Sequence, residues 1–178
     1  LSTAHNTGFS TAGKIGPRQI EYHRARARGG IGLIIFGTIS ADGSPITVRG
    51  SGGAVEITNT SVIDQYQQLV DAVHAEGAKI FCLVSHSGSV TNMGPNGEPP
   101  LAPSPIPMDR SRDIPHDMET DEIQSIVKAF AASAERCKAG GFDGVEFSFT
   151  HGNLVQQFMS PSTNKRTDEY GGSEENRL

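Results

Sequence analysis

The sequence predicts an α/β protein built on a parallel sheet. Three observations carry that prediction. Short apolar runs recur along the chain, an amphipathic helical pattern stands ahead of each one, and glycines mark the joints. Residues 17–28 open with Pro17, which sits well at a helix start because its missing N–H would have no partner there anyway. Ile20, His23 and Ala27 then recur at helical spacing, and Gly29-Gly30 closes the segment. Residues 31–36 (IGLIIF) follow as a continuous apolar run, the pattern of a strand covered on both faces. Ser61 begins the next predicted helix, with Asp64 favouring its positive end. Its stripe is Val62, Ile63, Tyr66, Leu69, Val70 and Val73, and Gly77 ends it. Residues 79–84 (KIFCLV) are the second strand. Thr120 is the predicted cap of the longest helix, whose apolar stripe runs from Ile123 to Cys137. Gly140-Gly141 stops it ahead of a third strand at 144–149 (GVEFSF). A strand stub at residues 1–3 would complete a (β)αβαβαβ order.

Strands joined through helices of this length run parallel, which leaves an open doubly wound sheet or a (β/α)8 barrel. A dinucleotide-binding sheet should carry G-x-G-x-x-G just after its first strand. Gly50-Ser51-Gly52-Gly53 and Gly29-Gly30-Ile31-Gly32 both fail that pattern and read as turns. Residues 85–118 form a long irregular stretch holding seven of the ten prolines, placed after a strand, where parallel folds put binding loops.

Composition narrows the function. A net charge of -5 is a poor match for phosphate backbones. No apolar run approaches the roughly 18–20 residues of a membrane span, and no N-terminal signal pattern is present, so the expected location is cytoplasmic. The 178 residues suit one domain of roughly 100–200 residues. Cys82 and Cys137 are far apart in sequence and read as two buried free thiols.

The histidines are the chemical signal. His5, His86 and His151 each follow a predicted strand, and parallel strands bring such positions to one face. They suit either a three-histidine metal centre, hence a metal-dependent hydrolase, or hydrogen bonding to a substrate or cofactor. His23 and His74 lie on helices and read as packed or solvated, and His116 has no assigned partner. Glu146 and Ser148 share one strand face.

The motifs then become specific. Gly140-Gly-Phe-Asp-Gly-Val-Glu146, His151-Gly152, Gln157-Phe-Met-Ser-Pro161, the run from Thr163 through Ser173 (TNKRTDEYGGS) and Glu175-Asn-Arg177 closely resemble the Old Yellow Enzyme family of FMN-dependent oxidoreductases. Residues 1–9 (LSTAHNTGF) resemble its 2,4-dienoyl-CoA reductase and trimethylamine dehydrogenase branch. The resemblance implies a (β/α)8 TIM barrel, of which this chain is expected to supply about the first four βα units. Such barrels need roughly 250 residues. The chain therefore reads as the N-terminal half of an FMN-binding domain, truncated at both ends and inactive in isolation.

The resemblance also implies FMN contacts at Thr3, Ala4 and His5 and at Gly37, Thr38 and Leu83. His151, Ser148 and Asn153 would face the substrate. It implies NADH or NADPH as electron donor, with a 4Fe-4S cluster and FAD only if a C-terminal extension exists. The substrate would be an enone, an enoyl thioester or an N-methylated amine. The expected partner is a small molecule, with neither nucleic acid nor membrane, and the complete chain is compatible with a homo-oligomer. Four positions depart from the family pattern. Ser148 stands where His is usual, Asn153 where a proton-donating Tyr is usual, Leu83 for Gln, and Ser89 for Arg. An amide is no general acid near neutral pH, so a relative without catalysis is also a consistent reading. Arg166, Asp168, Glu175 and Arg177 read as a structural ion-pair and capping set, with Ser173 as N-cap, and Arg24, Arg26 and Arg28 as a solvated helix face.

Overall fold

The computed structural model describes residues 1–10, 13–43, 55, 58, 60–91, 97–108, 111 and 113–178. The expected glycine turn at 50–53 lies outside them. Helix α1 (Pro17–Arg28) follows Gly16, whose extended backbone lets Pro17 lead the helix. Strand β1 (Leu33–Ser40) comes next, then a 3-10 turn (Thr60–Val62) leading into α2 (Ile63–His74) and β2 (Lys79–Ser85). Two short strands, β3 (Leu101–Ala102) and β4 (His116–Asp117), precede α3 (Thr120–Ala139) and β5 (Gly144–Phe147). The short helices α4 (Leu154–Met159) and α5 (Glu174–Arg177) follow.

The main sheet has the order β1-β2-β5, all parallel. Ser2 extends it on the β1 edge through a parallel bridge to Ile34, its N–H donating to the Leu33 carbonyl at 2.8 Å. The strands of this sheet thus lie in space in their order along the chain, each reached through a helix, with the short β3–β4 pair set apart in the loop after β2. That is the winding of a barrel wall and not of a doubly wound sheet, whose order reverses part-way.

The helical stripes pack where the sequence places them. Tyr66, Leu69, Val70 and Val73 of α2 are fully buried against Ile34 and Phe36 of β1 and Ile80 and Cys82 of β2. Each such side chain contributes about 1.5–3 kcal/mol through apolar burial. Phe142 meets the Tyr66 ring edge-on at 5.4 Å, joining the end of α3 to α2. Asp143 beside it ties three elements together. Its carboxylate accepts from Lys79 Nζ at 2.7 Å and from the Ile80 N–H at 2.9 Å, and it pairs with His74 Nε2 at 2.7 Å. Burial opposes ionisation there, but these bonds outweigh it and hold the Asp143 pKa down to about 2.

Several expectations need correcting. Strand β1 runs on to Ser40 because a register slip at Gly37-Thr38 lets it resume pairing at Ile39. Helix α3 starts one residue early: Glu119 is its N-cap, with its N–H donating to the Glu122 carboxylate at 2.8 Å, so Thr120 is already helical. The His116 ring finds that same carboxylate at 2.9 Å. The stretch 85–118 is not wholly irregular, since β3 and β4 pair in parallel and a small second core gathers Met118, Ile123 and Leu154. The arginines of α1 do form a solvated face, and they are also paired on it. Arg24 and Arg28 converge on Glu76, and Arg26 stacks over the Tyr22 ring.

Candidate active site

Parallel strands place their C-terminal ends on one rim, and the expected cofactor and substrate residues all lie there. Thr3, Ala4 and His5 follow the Ser2 bridge; the first and last are exposed. His5 receives the Tyr22 hydroxyl on Nε2, while its Nδ1 meets the Thr3 carbonyl at 3.1 Å. Gly37 and Thr38 sit in the β1 register slip, between the pairs Phe36–Cys82 and Ile39–Val84, so both face Leu83. Bulges of this kind re-aim backbone beside active sites. Gly37 has φ of +142°, and a Cβ there would stand 2.8 Å from the Leu83 carbonyl oxygen, so only glycine fits. Glu146 is the register partner of Leu83 on β5 and is exposed.

The segment after β5 holds the residues expected to face the substrate. Ser148 is buried just past the strand, with its N–H bonded to the Val84 carbonyl at 3.0 Å. Asn153 donates its amide N–H to Ser148 Oγ at 2.9 Å and precedes α4 as its N-cap. Ser148 keeps its own hydroxyl proton for another acceptor. His151 is exposed, with φ of +62°, and its Nδ1 lies 2.9 Å from the Thr150 hydroxyl. Its second ring nitrogen has no partner among the described residues.

His86 behaves differently from the other strand-end histidines. It is 3% exposed, its Nδ1 accepts the Gly88 N–H at 3.0 Å, and its Nε2 donates to Asp42 at 3.2 Å. The Ser40 hydroxyl donates to the other Asp42 oxygen at 3.0 Å. With both nitrogens engaged, His86 has no lone pair to give a metal. Among the described residues no three His, Cys, Asp or Glu side chains gather as a metal set, so the three-histidine centre does not form from these residues. Asp42 stands 44 positions before His86, beyond any local sequence pattern, which is why their pairing is invisible in the sequence.

Cys82 and Cys137 are buried free thiols as the sequence suggests, but the surroundings of these thiols and of His23 were not legible. Cys82 of β2 and Cys137 of α3 are fully buried neighbours; burial, with Cys137 adding to it, pushes the Cys82 thiol well above its usual range. Such thiols are poor nucleophiles. His23 is buried with neither ring nitrogen bonded, and burial, with His5 nearby, lowers its pKa to about 4. The structural assignment of the C-terminal motif holds. Arg166 pairs with Asp168 and donates to the Met118 carbonyl, Arg177 donates to the carbonyls of Met159 and Gly172, and Ser173 accepts from the Asn176 N–H.

Comparison with known proteins decides the family. Residues 3–178 match the NADH:flavin oxidoreductase / NADH oxidase family. The chain belongs to it. A protein named metal reductase from Desulforamulus reducens is 38% identical over 178 residues, all of this chain and 26% of that protein. An N,N-dimethylglycine/sarcosine dehydrogenase from Chromohalobacter salexigens is 37% identical over 183 residues, again all of this chain and 26% of that protein. Among solved structures, morphinone reductase superposes with a TM-score of 0.86 at 30% identity, covering 99% of this chain and 51% of that one. The chain thus spans about a quarter of these curated relatives and half of the solved barrel. Its fold is the corresponding half of a TIM barrel.

Proposed function

We propose that this chain forms the FMN- and substrate-facing rim of an oxidoreductase that takes electrons from NADH or NADPH. What supports the reading is the family match together with the parallel order Ser2-β1-β2-β5, in which the residues after Ser2, the Gly37–Thr38 bulge beside Leu83, and Ser148 and His151 after β5 lie toward the same end of one sheet. The residues fit a flat ring. Thr3, Ala4 and Thr38 are small and Leu83 offers apolar contact, while the space beside Gly37 is closed by the Leu83 backbone of the neighbouring strand. FMN bound there would carry hydride from the nicotinamide to an enone or enoyl thioester; with an N-methylated amine it would take the electrons from the amine instead and would need an external electron acceptor, not NADH or NADPH, to be reoxidised.

The chain's own residues then divide the work. The His151 imidazole and the Ser148 hydroxyl donate hydrogen bonds to a substrate oxygen, polarising a carbonyl or holding a carboxylate. Asn153 cannot deliver a proton, and its amide is committed to Ser148. That favours substrates whose oxidation makes little demand on an acid, an N-methylated amine above an enone or enoyl thioester. The same feature supports a second reading, a relative that keeps the barrel without turnover.

The test is the protein expressed from its complete reading frame. It should purify with FMN, bleach anaerobically with NADH or NADPH, and turn over cyclohexenone at the expense of NAD(P)H or dimethylglycine at the expense of an added artificial electron acceptor. Flavin without turnover of any such substrate would favour the second reading. A colourless protein that ignores added FMN would overturn both.

A further inference from the structure

The turn that carries His151 is clamped from both sides by two adjacent glutamines. Gly152 follows His151 directly, and both residues have positive φ, +62° and +77°. For a histidine that backbone is strained by about 1–3 kcal/mol and persists only where its surroundings over-determine it. The surroundings are Gln156 and Gln157 at the start of α4. Gln156 Oε1 accepts the Gly152 N–H at 2.7 Å, and Gln157 Nε2 donates to the Gly152 carbonyl at 2.5 Å.

Gln157 also reaches the neighbouring rim. It is 2% exposed, its Oε1 accepts the Ser89 N–H at 3.2 Å, and its Nε2 donates to the Ser87 carbonyl at 3.2 Å. The amide lies so close to Gly88 that a Cβ there would stand 2.5 Å from Gln157 Oε1. The Leu154 N–H adds a bond to the His86 carbonyl at 2.9 Å. One side chain therefore joins the turn after β2, itself anchored on Asp42 by His86, to the turn after β5.

We infer that Gln157, assisted by Gln156, is a positioning residue: it holds the His151–Gly152 turn and thereby sets where the His151 ring meets the substrate. This rests on the role proposed above for His151. Neither glutamine needs to touch substrate or flavin. A merely structural role would be felt equally whether or not His151 has a ring, whereas a positioning role acts through that ring and disappears with it.

The experiment uses the flavin-loaded protein from the complete reading frame, with whichever of dimethylglycine or cyclohexenone it turns over. Gln157→Glu keeps the acceptor to Ser89 and removes both donations at neutral pH. It should raise KM about tenfold while FMN content is retained, about the loss of one or two net hydrogen bonds. The defect should shrink as pH falls and the introduced acid regains a proton to donate. In a His151→Ala background the same change should have no further effect on kcat/KM. A full effect in that background would overturn the inference and leave the proposed function standing. If Gln157→Glu fails to hold FMN, Gln156→Met decides, since that side chain is exposed and replaceable without disturbing the core. It should raise KM about threefold, again only when His151 is present; no change would overturn the inference. A parent protein with no flavin, or with no turnover, removes the proposed activity and this inference together.

Discussion

Two strand ends of this barrel wall carry the same chemistry in the sequence and opposite fates in the fold. After β2 comes His86, followed two residues later by Gly88; after β5 comes His151, followed at once by Gly152. Both glycines have positive φ. Yet His86 is buried with both nitrogens bonded inside the chain, and His151 is exposed on a strained backbone with a nitrogen to spare. The difference lies in what surrounds each turn. Asp42 and the Gly88 N–H complete the first histidine as a structural part. Around the second, the Thr150 hydroxyl meets the ring and Gln156 and Gln157 hold the backbone, leaving the ring available. A histidine at a strand end is therefore no site in itself; only one whose hydrogen bonding is incomplete has a ring nitrogen to offer a ligand.

Substitutions should break this pair apart, and the largest effect belongs to the buried member. His86→Ala removes the bonds to Asp42 and Gly88 and leaves a cavity, so stability should fall by about 3 kcal/mol. Urea denaturation of the flavin-loaded protein measures it. His151→Ala, at an exposed position, should change the same quantity by under about 0.5 kcal/mol. Equal losses from the two variants would refute the contrast.

Next in size is the pH response of the β1 side. His23 is buried without partners, and its pKa of about 4 lies below the ordinary 6.5. The unfolded chain binds a proton at that group first, so its contribution is full above about pH 6.5 and is lost as pH falls toward 4. Stability should drop by about 2 kcal/mol over that window. In His23→Phe this part of the fall should vanish, as denaturant melts at pH 7 and pH 5 would show. An unchanged pH slope would contradict the assignment.

Gly88→Ala sharpens the comparison from the other side. The substitution places a Cβ against the Gln157 amide at a φ of +58°. It should cost about 1–2 kcal/mol and disturb substrate KM through the β5 turn, although residue 88 belongs to the β2 turn. Paired melting curves and kinetics report both. The smallest effect is at Asp143, whose pKa of about 2 lies below its ordinary 3.8. Its bonds with Lys79, His74 and Ile80 stabilise the fold above about pH 4, and that contribution of about 1 kcal/mol fades as pH falls toward 2. Asp143→Asn should remove that acid sensitivity.

The parts of this molecule legible in the sequence are those set by local period. The stripe of α2 lands on the core as written, and the apolar runs become β1 and β2 in order. Element ends were less legible, because they depend on single bonds. Glu119 takes the N-cap that Thr120 suggested through one bond to Glu122, and β1 continues past its apolar run by a bulge that has no periodic signature. The candidate site was legible partly from strand-end position, which singled out His151, and otherwise through motif resemblance. That resemblance pointed to His151, Ser148 and Asn153 together, but could not show that Asn153 bonds to Ser148, that His86 is spoken for by Asp42, or that the Gln157 amide spans two loops 70 residues apart. Those relations are made by the fold, between residues whose spacing carries no rule.

The most direct test separates electron entry from substrate handling at the exposed histidine. With FMN bound, His151→Ala should be reduced by NADH or NADPH at close to the parent's rate, because its ring is assigned to the substrate's oxygen. Electron exchange with that substrate should slow by about 100-fold, the usual loss when one polarising donor is removed. Stopped-flow absorbance of the flavin in each half-reaction gives both rates. Exchange as fast as in the parent would contradict the assignment of this rim as the substrate site.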